Sequence, residues 1–274
     1  MSFGWLTPED YQGYSFNRFL HFEHFQIKMM LQSSGWRDEK SEWHRNMGIA
    51  LNANPAVAWY FTDLCPEFTE TIANLKANAP PTINAAEIRT AEIHILSSTE
   101  DFTIYTTPEV MDEKCDFIKG WNKERLYELV CVTGKVVLDV GAGSGRLAFA
   151  AAERSAWVYA SEPVWSLREF MRGKISKQNI HNVRVLDGMA NALPFPDNVF
   201  DVVMSGHVVG DDYDNEIAEL ERVCKPDGWI VDCVGDSERE YKPAQALIDR
   251  GWEYVHYVGS CGKDVYNHRK RNIK

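Results

Sequence analysis

Three glycines at alternate positions, Gly141, Gly143 and Gly145, follow the apolar run Val136–Val140, and an alanine- and leucine-rich stretch, 146–154, follows them. An apolar run of this length has the composition of a strand buried on both faces. Glycines let the chain turn sharply and bring its backbone close to a ligand, and the unpaired N–H groups at a helix start suit a negative or polar group. Strand, glycine turn and helix start together describe a nucleotide-binding element. A dinucleotide fingerprint, Gly-x-Gly-x-x-Gly, needs its third glycine at position 146. That position is Arg146, and the third glycine comes one residue early. The identity of the ligand therefore rests on what stands downstream.

The elements that position these residues alternate from Lys119 onward. Strands are expected at Val136–Val140, Trp157–Ser161, Val183–Leu186, 200–204 and 229–234. Helices are expected at 123–131, 146–154, 214–225 and 244–250, with another after the second strand that carries Leu167, Phe170, Met171 and Ile175 on one face. Segments 252–258 and 264–268 read as a closing antiparallel pair. The pattern predicts an α/β fold: a doubly wound, Rossmann-like, mostly parallel seven-stranded sheet with a C-terminal antiparallel hairpin. Ligands of such sheets lie beyond the carboxyl ends of the strands, beside strand one. The strand ends here are 141–145, then Glu162, then Asp187-Gly188-Met189-Ala190, then Ser205-Gly206-His207. Glu162 is placed to accept hydrogen bonds from two ribose hydroxyls. Singly, an acidic strand end is often a helix cap and Asp187 a turn residue; the combination is harder to dismiss.

With these motifs in order, the chain from about 119 to 274 resembles the class I methyltransferases that use S-adenosylmethionine. The resemblance is of the small-molecule type, similar to the methyltransferase domains of ubiquinone and menaquinone biosynthesis. It is carried by Leu138-Asp-Val-Gly-Ala-Gly-Ser-Gly145, by Glu162, by Ala192-Leu-Pro-Phe-Pro-Asp-Asn-Val-Phe-Asp-Val-Val203 and by Leu220-Glu-Arg-Val-Cys-Lys-Pro-Asp-Gly228. The resemblance implies that Asp139 and the loop Gly141, Ala142, Gly143 and Gly145 hold the methionine end of the cofactor. It also implies that Glu162 takes the ribose and that Pro163 and Val164 border the adenine. The family often has an aspartate four residues before the leucine of Leu-Pro-Phe; here that position is Met189, so Asp187, Gly188, Met189 and Ser205 complete the expected cofactor shell. A sulfonium methyl is already activated, and aligning donor and acceptor away from water is the main task. The absence of a recognisable catalytic triad fits that chemistry. Two rivals stay open: a catalytically silent binder of S-adenosylmethionine or S-adenosylhomocysteine, and a nicotinamide oxidoreductase, which the glycine spacing disfavours.

On the acceptor side the candidates are His207, Asp211, Asp212 and Tyr213 after strand four. An imidazole titrates near neutrality, so His207 is a candidate general base, or alternatively a hydrogen-bonded residue that orients the loop. Asp211 and Asp212 also suit a helix cap. Residues 1–118 form a mainly helical amino-terminal extension, with helices at 17–32, 56–64 and 67–78, a polar loop at 36–43, and two short strands at 92–96 and 102–106. By analogy with other extensions of this fold, Tyr11 and Tyr14 are candidates to line the acceptor pocket, with core packing as the alternative. His21 and His24 stand one helical turn apart, but no further ligands lie near them in the sequence and no metal is expected.

The formal net charge of −11 argues against a nucleic-acid partner. The basic tail 268–274 reads as a solvated chain end. No apolar run approaches the roughly 20 residues that cross a bilayer, and the start of the chain lacks the basic and apolar regions of a signal peptide. Six dispersed cysteines point to reduced thiols. A cytoplasmic protein with a small-molecule acceptor and no membrane partner is expected; the oligomeric state is left open.

Overall fold

Strands β1 (Val136–Val140), β2 (Trp157–Ser161), β3 (Val183–Leu186), β4 (Phe200–Ser205) and β5 (Cys224–Asp232) run parallel in the computed structural model. Two antiparallel strands, β6 (Glu253–Val258) and β7 (Asp264–Arg271), complete a seven-stranded sheet in the order β3-β2-β1-β4-β5-β7-β6. Described residues are 4–32, 41–81, 83–237 and 240–274. They fall into two compact units, Met1–Thr107 and Pro108–Lys274.

The lack of alternation in β1 follows from burial on both faces. Val137 packs with Leu147, Ala148 and Met171 on one side of the sheet, whereas Leu138 and Val140 pack with Leu220, Val223 and Trp252 on the other. Each such side chain, fully withdrawn from water, contributes about 1.5–3 kcal/mol. Polar groups fix the register. Asp201 in β4 accepts the Val136 amide at 2.9 Å and pairs with Lys225 at 2.8 Å, tying the starts of β1, β4 and β5 together. That is the work of the Phe-Asp-Val-Val and Lys-Pro-Asp-Gly segments.

β5 begins at Cys224, five residues before the expected start. The Lys225-Pro-Asp-Gly228 segment is part of the strand: Asp227 takes φ 57°, its amide donates to the Asn272 carbonyl, and the Asn272 side chain donates to the carbonyls of Glu221, Cys224 and Lys225. The basic tail is likewise not a solvated end. It forms β7, where Arg269 pairs with Glu253, Lys270 pairs with Glu221, and Asn267 and His268 are buried.

In the unit Met1–Thr107 the expected helix 17–32 is two elements: a 3-10 helix, Phe16–His21, and an α-helix, His24–Gln32, joined through extended Phe22. Phe16, Phe19 and Phe22 recur every three residues, the period of a 3-10 turn. Their rings stack in series at 4.7 Å, with Phe61 against Phe19 at 5.9 Å. Segments 92–96 and 102–106 are helical rather than extended. Ala85–Ser98 is an α-helix started by a reciprocal Asn84/Glu87 capping box, and the second segment spans Glu100–Thr103 and Ile104–Thr106. Capping and the buried stripe Ala91–Ile95 outweigh the β-branched composition. Of the expected loop 36–43, residues 36–40 lie outside the described residues, and Glu42 and Trp43 open the helix Glu42–Ala53 behind a Ser41 cap. The six cysteines are free thiols. No helix among the described residues is long and apolar enough to cross a membrane.

Candidate functional site

The order β2-β1-β4 puts the reversal of winding between β1 and β4, and the loops after those strands gather there. Gly141, Gly143 and Gly145 all have left-handed backbone, at φ 62°, 58° and 96°. Side chains at two of them are excluded by neighbours as well: a Cβ on Gly141 would sit 2.4 Å from Val208, and one on Gly145 would sit 2.3 Å from the Phe149 ring. The turn directs the Gly143 amide to Glu162 Oε2 at 2.8 Å, while the Val164 amide reaches Oε1 at 2.9 Å. Glu162 is buried, and that burial pushes its pKa up to about 7 against the two amides and Arg168. Each carboxylate oxygen has taken one donor and can accept a second. A vicinal diol supplies two.

The β3 end is held to this group from outside. Arg168 donates to the carbonyls of Glu162 and Pro163 at 2.8 and 2.6 Å and pairs with Asp187 at 3.2 Å. Gly188 lies against Ser161, which donates to its carbonyl at 3.1 Å, and Met189 bridges to Ala192 in a tight turn. Asp187 is thus a rim residue, with 71% of its side chain exposed. An exposed ion pair contributes at most about 1 kcal/mol, so Asp187→Ala is expected to change affinity for S-adenosylhomocysteine less than about fivefold by calorimetry. A larger loss would assign Asp187 a direct polar contact with the ligand.

Near the glycine turn sits a group of ionisable side chains, with Asp139 and Asp232 buried. Asp139 lies at the end of β1, its Oδ2 without a partner, and burial raises its pKa to about 8 although Arg146 opposes this. Asp232 is raised by burial to about 6 and accepts from Ser205 Oγ at 3.2 Å. Ser205 is thereby used to hold the end of β4. The Arg146 guanidinium donates to the Cys233 carbonyl at 2.6 Å and stacks over Trp121 at 4.4 Å. Its room is made by glycines, since a Cβ on Gly206 or Gly235 would come within 2.7 or 3.0 Å of it. Arg146, Arg168, Asp232 and Trp121 were not among the residues expected from sequence. The one signal was the arginine where a dinucleotide fingerprint needs glycine, together with Gly206 and Gly235 at strand ends.

His207 follows Gly206 with φ 64° and lies beside Phe117, 4.9 Å between ring centroids, and Tyr241, 6.3 Å. His207 is exposed. Desolvation, aided by the Arg146 charge, holds its pKa down at about 4 despite Asp116 and a hydrogen bond to the Val234 main chain. Asp211 is exposed. Asp212 stands at the cap position of the helix Tyr213–Val223 but makes no capping bond; Glu216 reaches back to the Gly210 amide at 2.8 Å in its place. Tyr213 opens that helix with the Arg250 guanidinium over its ring at 5.3 Å. Tyr11 and Tyr14 belong to the other unit, where both are buried. Arg89 donates to the Tyr11 and Tyr14 carbonyls at 2.8 Å, and Arg18 stacks over Tyr14 at 3.7 Å. Their surroundings there are those of core residues.

The orphaned Asp139 oxygen, the spare acceptor capacity of Glu162 and the turned amides of the glycine loop fit a ligand with a cationic amine and a ribose diol. Residues 137–228 match the model of a methyltransferase domain. Among curated relatives, the chain is 32% identical over 123 residues to a demethylmenaquinone methyltransferase of Geobacillus stearothermophilus, covering 43% of this chain and 52% of that protein. It is 29% identical over 140 residues to a demethylmenaquinone methyltransferase of Listeria monocytogenes, covering 49% and 59%. The chain thus spans little more than half the length of the curated relatives it matches. The fold is shared with a SAM-dependent methyltransferase from Aquifex aeolicus, at a TM-score of 0.50 and 22% identity over 60% of this chain and 96% of that one.

Proposed function

We propose that the unit carrying residues 137–228, which match the model of a methyltransferase domain, is a class I methyltransferase that uses S-adenosylmethionine and transfers its methyl group to a small, flat aromatic acceptor. One observation carries the reading more than any other: the buried Glu162 carboxylate, spanned by the Gly143 and Val164 amides at 2.8 and 2.9 Å, is built to take a ribose diol. Asp139 and the 141–145 amides hold the amino-acid end, and Pro163 and Val164 border the base. When bound, the cofactor supplies an electrophilic methyl on a sulfonium.

The chain's own contribution is alignment and exclusion of water. The loop 206–213 forms one wall, since Val208 lies against Gly141 and His207 against Phe117 and Tyr241. Aromatic walls of this kind suit a flat ring. The names of the curated relatives, demethylmenaquinone methyltransferases, support an acceptor of the quinol class. Incubation with S-adenosylmethionine and a panel of small hydroxylated aromatics, including naphthoquinols, is expected to produce S-adenosylhomocysteine only when an acceptor is present. Tight cofactor binding with no turnover on any acceptor overturns the reading.

His207 enters this scheme as a neutral hydrogen-bonding group. Desolvation and the nearby Arg146 charge lower its pKa from the ordinary imidazole value, which weakens it as a base for a phenol proton. His207→Gln is therefore expected to keep kcat within a factor of about three, whereas removing a true general base costs roughly 10²–10⁴-fold. Steady-state rates on the best acceptor of the panel decide between the two.

A further inference from the structure

The geometry points to a metal site in the unit Met1–Thr107: His24 Nε2, Cys65 Sγ and a carboxylate oxygen of Glu67 form a three-ligand cup for zinc, with its fourth position open to water. The three ligand atoms all lie within 4.8 Å of one another. Each comes from a different element. His24 is the first residue of the helix His24–Gln32, Cys65 ends the helix Pro55–Leu64, and Glu67 lies in the 3-10 turn Pro66–Phe68. The separation of 41 residues between His24 and Cys65 hides the set from any spacing rule.

The arrangement has a floor and two arms. Cys65 is fully buried, and its thiol lies 3.7 Å from the His24 carbonyl, directly under the start of that helix. His24 and Glu67 stand over it half-exposed, at 49% and 46% of side-chain surface, joined by a hydrogen bond of 2.8 Å. Ligands about 2.0–2.3 Å from a tetrahedral zinc are roughly 3.3–3.6 Å apart. Small rotamer adjustments of the two half-exposed arms bring the present set into that range. One thiolate, one imidazole and one carboxylate suit zinc in preference to magnesium or calcium, which favour oxygen ligands alone. Two of the arms are solvent-accessible, so the ion has an entry path.

Binding is a ligand exchange without redox change. The His24–Glu67 hydrogen bond opens, the imidazole exchanges its Nε2 proton through solvent for one on Nδ1, and the Cys65 S–H bond gives its proton to solvent; Zn–S, Zn–N and Zn–O bonds then form as waters leave the hydrated ion, and one water stays in the fourth position. The ion then clamps the His24–Gln32 helix to the turn that follows Pro55–Leu64. Lys28, one helical turn beyond His24, places a positive charge near Glu67 and opposes the ion, so Lys28→Gln is expected to tighten binding.

The test uses the full chain washed with chelator and then loaded with zinc or cobalt(II). Expected are one retained zinc per chain by elemental analysis and, with cobalt, a thiolate-to-metal charge-transfer band that Cys65→Ser abolishes. His24→Gln and Glu67→Gln, both at half-exposed positions that leave the core intact, are expected to lower affinity by at least the roughly 10–100-fold that losing an outer-shell partner of a metal site costs. Zinc is expected to raise the melting temperature of the parent chain and not that of the double variant. No retained metal, or retention and melting shifts equal in the parent chain and the double variant, overturns the proposal in favour of adventitious surface binding.

Discussion

Replacing Glu162 by alanine is expected to weaken binding of S-adenosylhomocysteine about 100-fold or more and to lower the melting temperature of the ligand-free chain. The first effect follows from the two ribose hydroxyls that the proposed function assigns to the carboxylate. Hydrogen bonds to a charged group contribute about 1.5–3 kcal/mol each, and two of them at the lower limit already correspond to roughly 100-fold. The second follows from the main chain. Glu162 accepts the amides of Gly143 and Val164 inside the protein, and a buried donor left without a partner costs about 1–3 kcal/mol. Glu162→Gln separates the two effects. Its amide oxygen can keep one of the main-chain donors, so the chain recovers much of its stability, while affinity stays low because the charge and one acceptor are gone. Calorimetry and thermal melts on both variants give the two readouts. Affinity unchanged in both would remove the ribose from this carboxylate, and with it the main support for the proposed function.

How visible this site is in the sequence depends on how far apart its parts lie. Glu162 is legible because a strand end is a local property: Trp157–Ser161 is apolar, Glu162-Pro163 breaks it, and the two are adjacent. The same holds for the glycine turn, whose left-handed residues are themselves glycines. Arg146 and Asp232 escape a linear reading because their meaning is set at a distance. Arg146 binds a carbonyl 87 residues away, and Asp232 becomes part of the site only when β5 lies beside β4. The amino-terminal unit shows a different failure. Phe16, Phe19 and Phe22 fit a helix, but their period is three rather than 3.6, and a spacing of three over only two intervals separates the forms poorly. Ile93 and Ile95 favour strand by composition, and the Asn84/Glu87 box that makes them helical lies before the segment they occupy. His24, Cys65 and Glu67 belong with Arg146: each residue type is unremarkable alone, and only the fold brings the three together.

Affinity for the cofactor is expected to fall as pH drops from about 8 to about 5, by up to roughly 100-fold, with a proton released on binding. The reason is the state of Glu162 before the ligand arrives. Burial raises its pKa from 4.5 to about 7, so in the ligand-free chain the carboxyl is largely protonated below neutrality. Two hydroxyl donors favour the ionised form, and the ligand must therefore expel that proton. For Glu162 alone, each pH unit below about 7 then costs up to tenfold in affinity until the pKa of the bound state is reached, and its share flattens above about 7. The sign for stability is the opposite. Between about pH 4.5 and 7 the folded, ligand-free chain holds a proton that the unfolded chain has lost, so this residue's contribution to stability declines as pH rises through that window. Asp139, raised to about 8 with one oxygen unpartnered, adds a second proton on the proposed placement against the cationic amine and carries the dependence up to about pH 8. Glu162→Gln isolates it: the variant is expected to lose one proton's worth of pH dependence and to keep the rest. Calorimetry in buffers of different ionisation enthalpy counts the protons directly. An affinity that is flat from pH 5 to 8 would mean that the carboxyl is already ionised without ligand, and that the strand-end carboxylate meets its diol with no proton to displace.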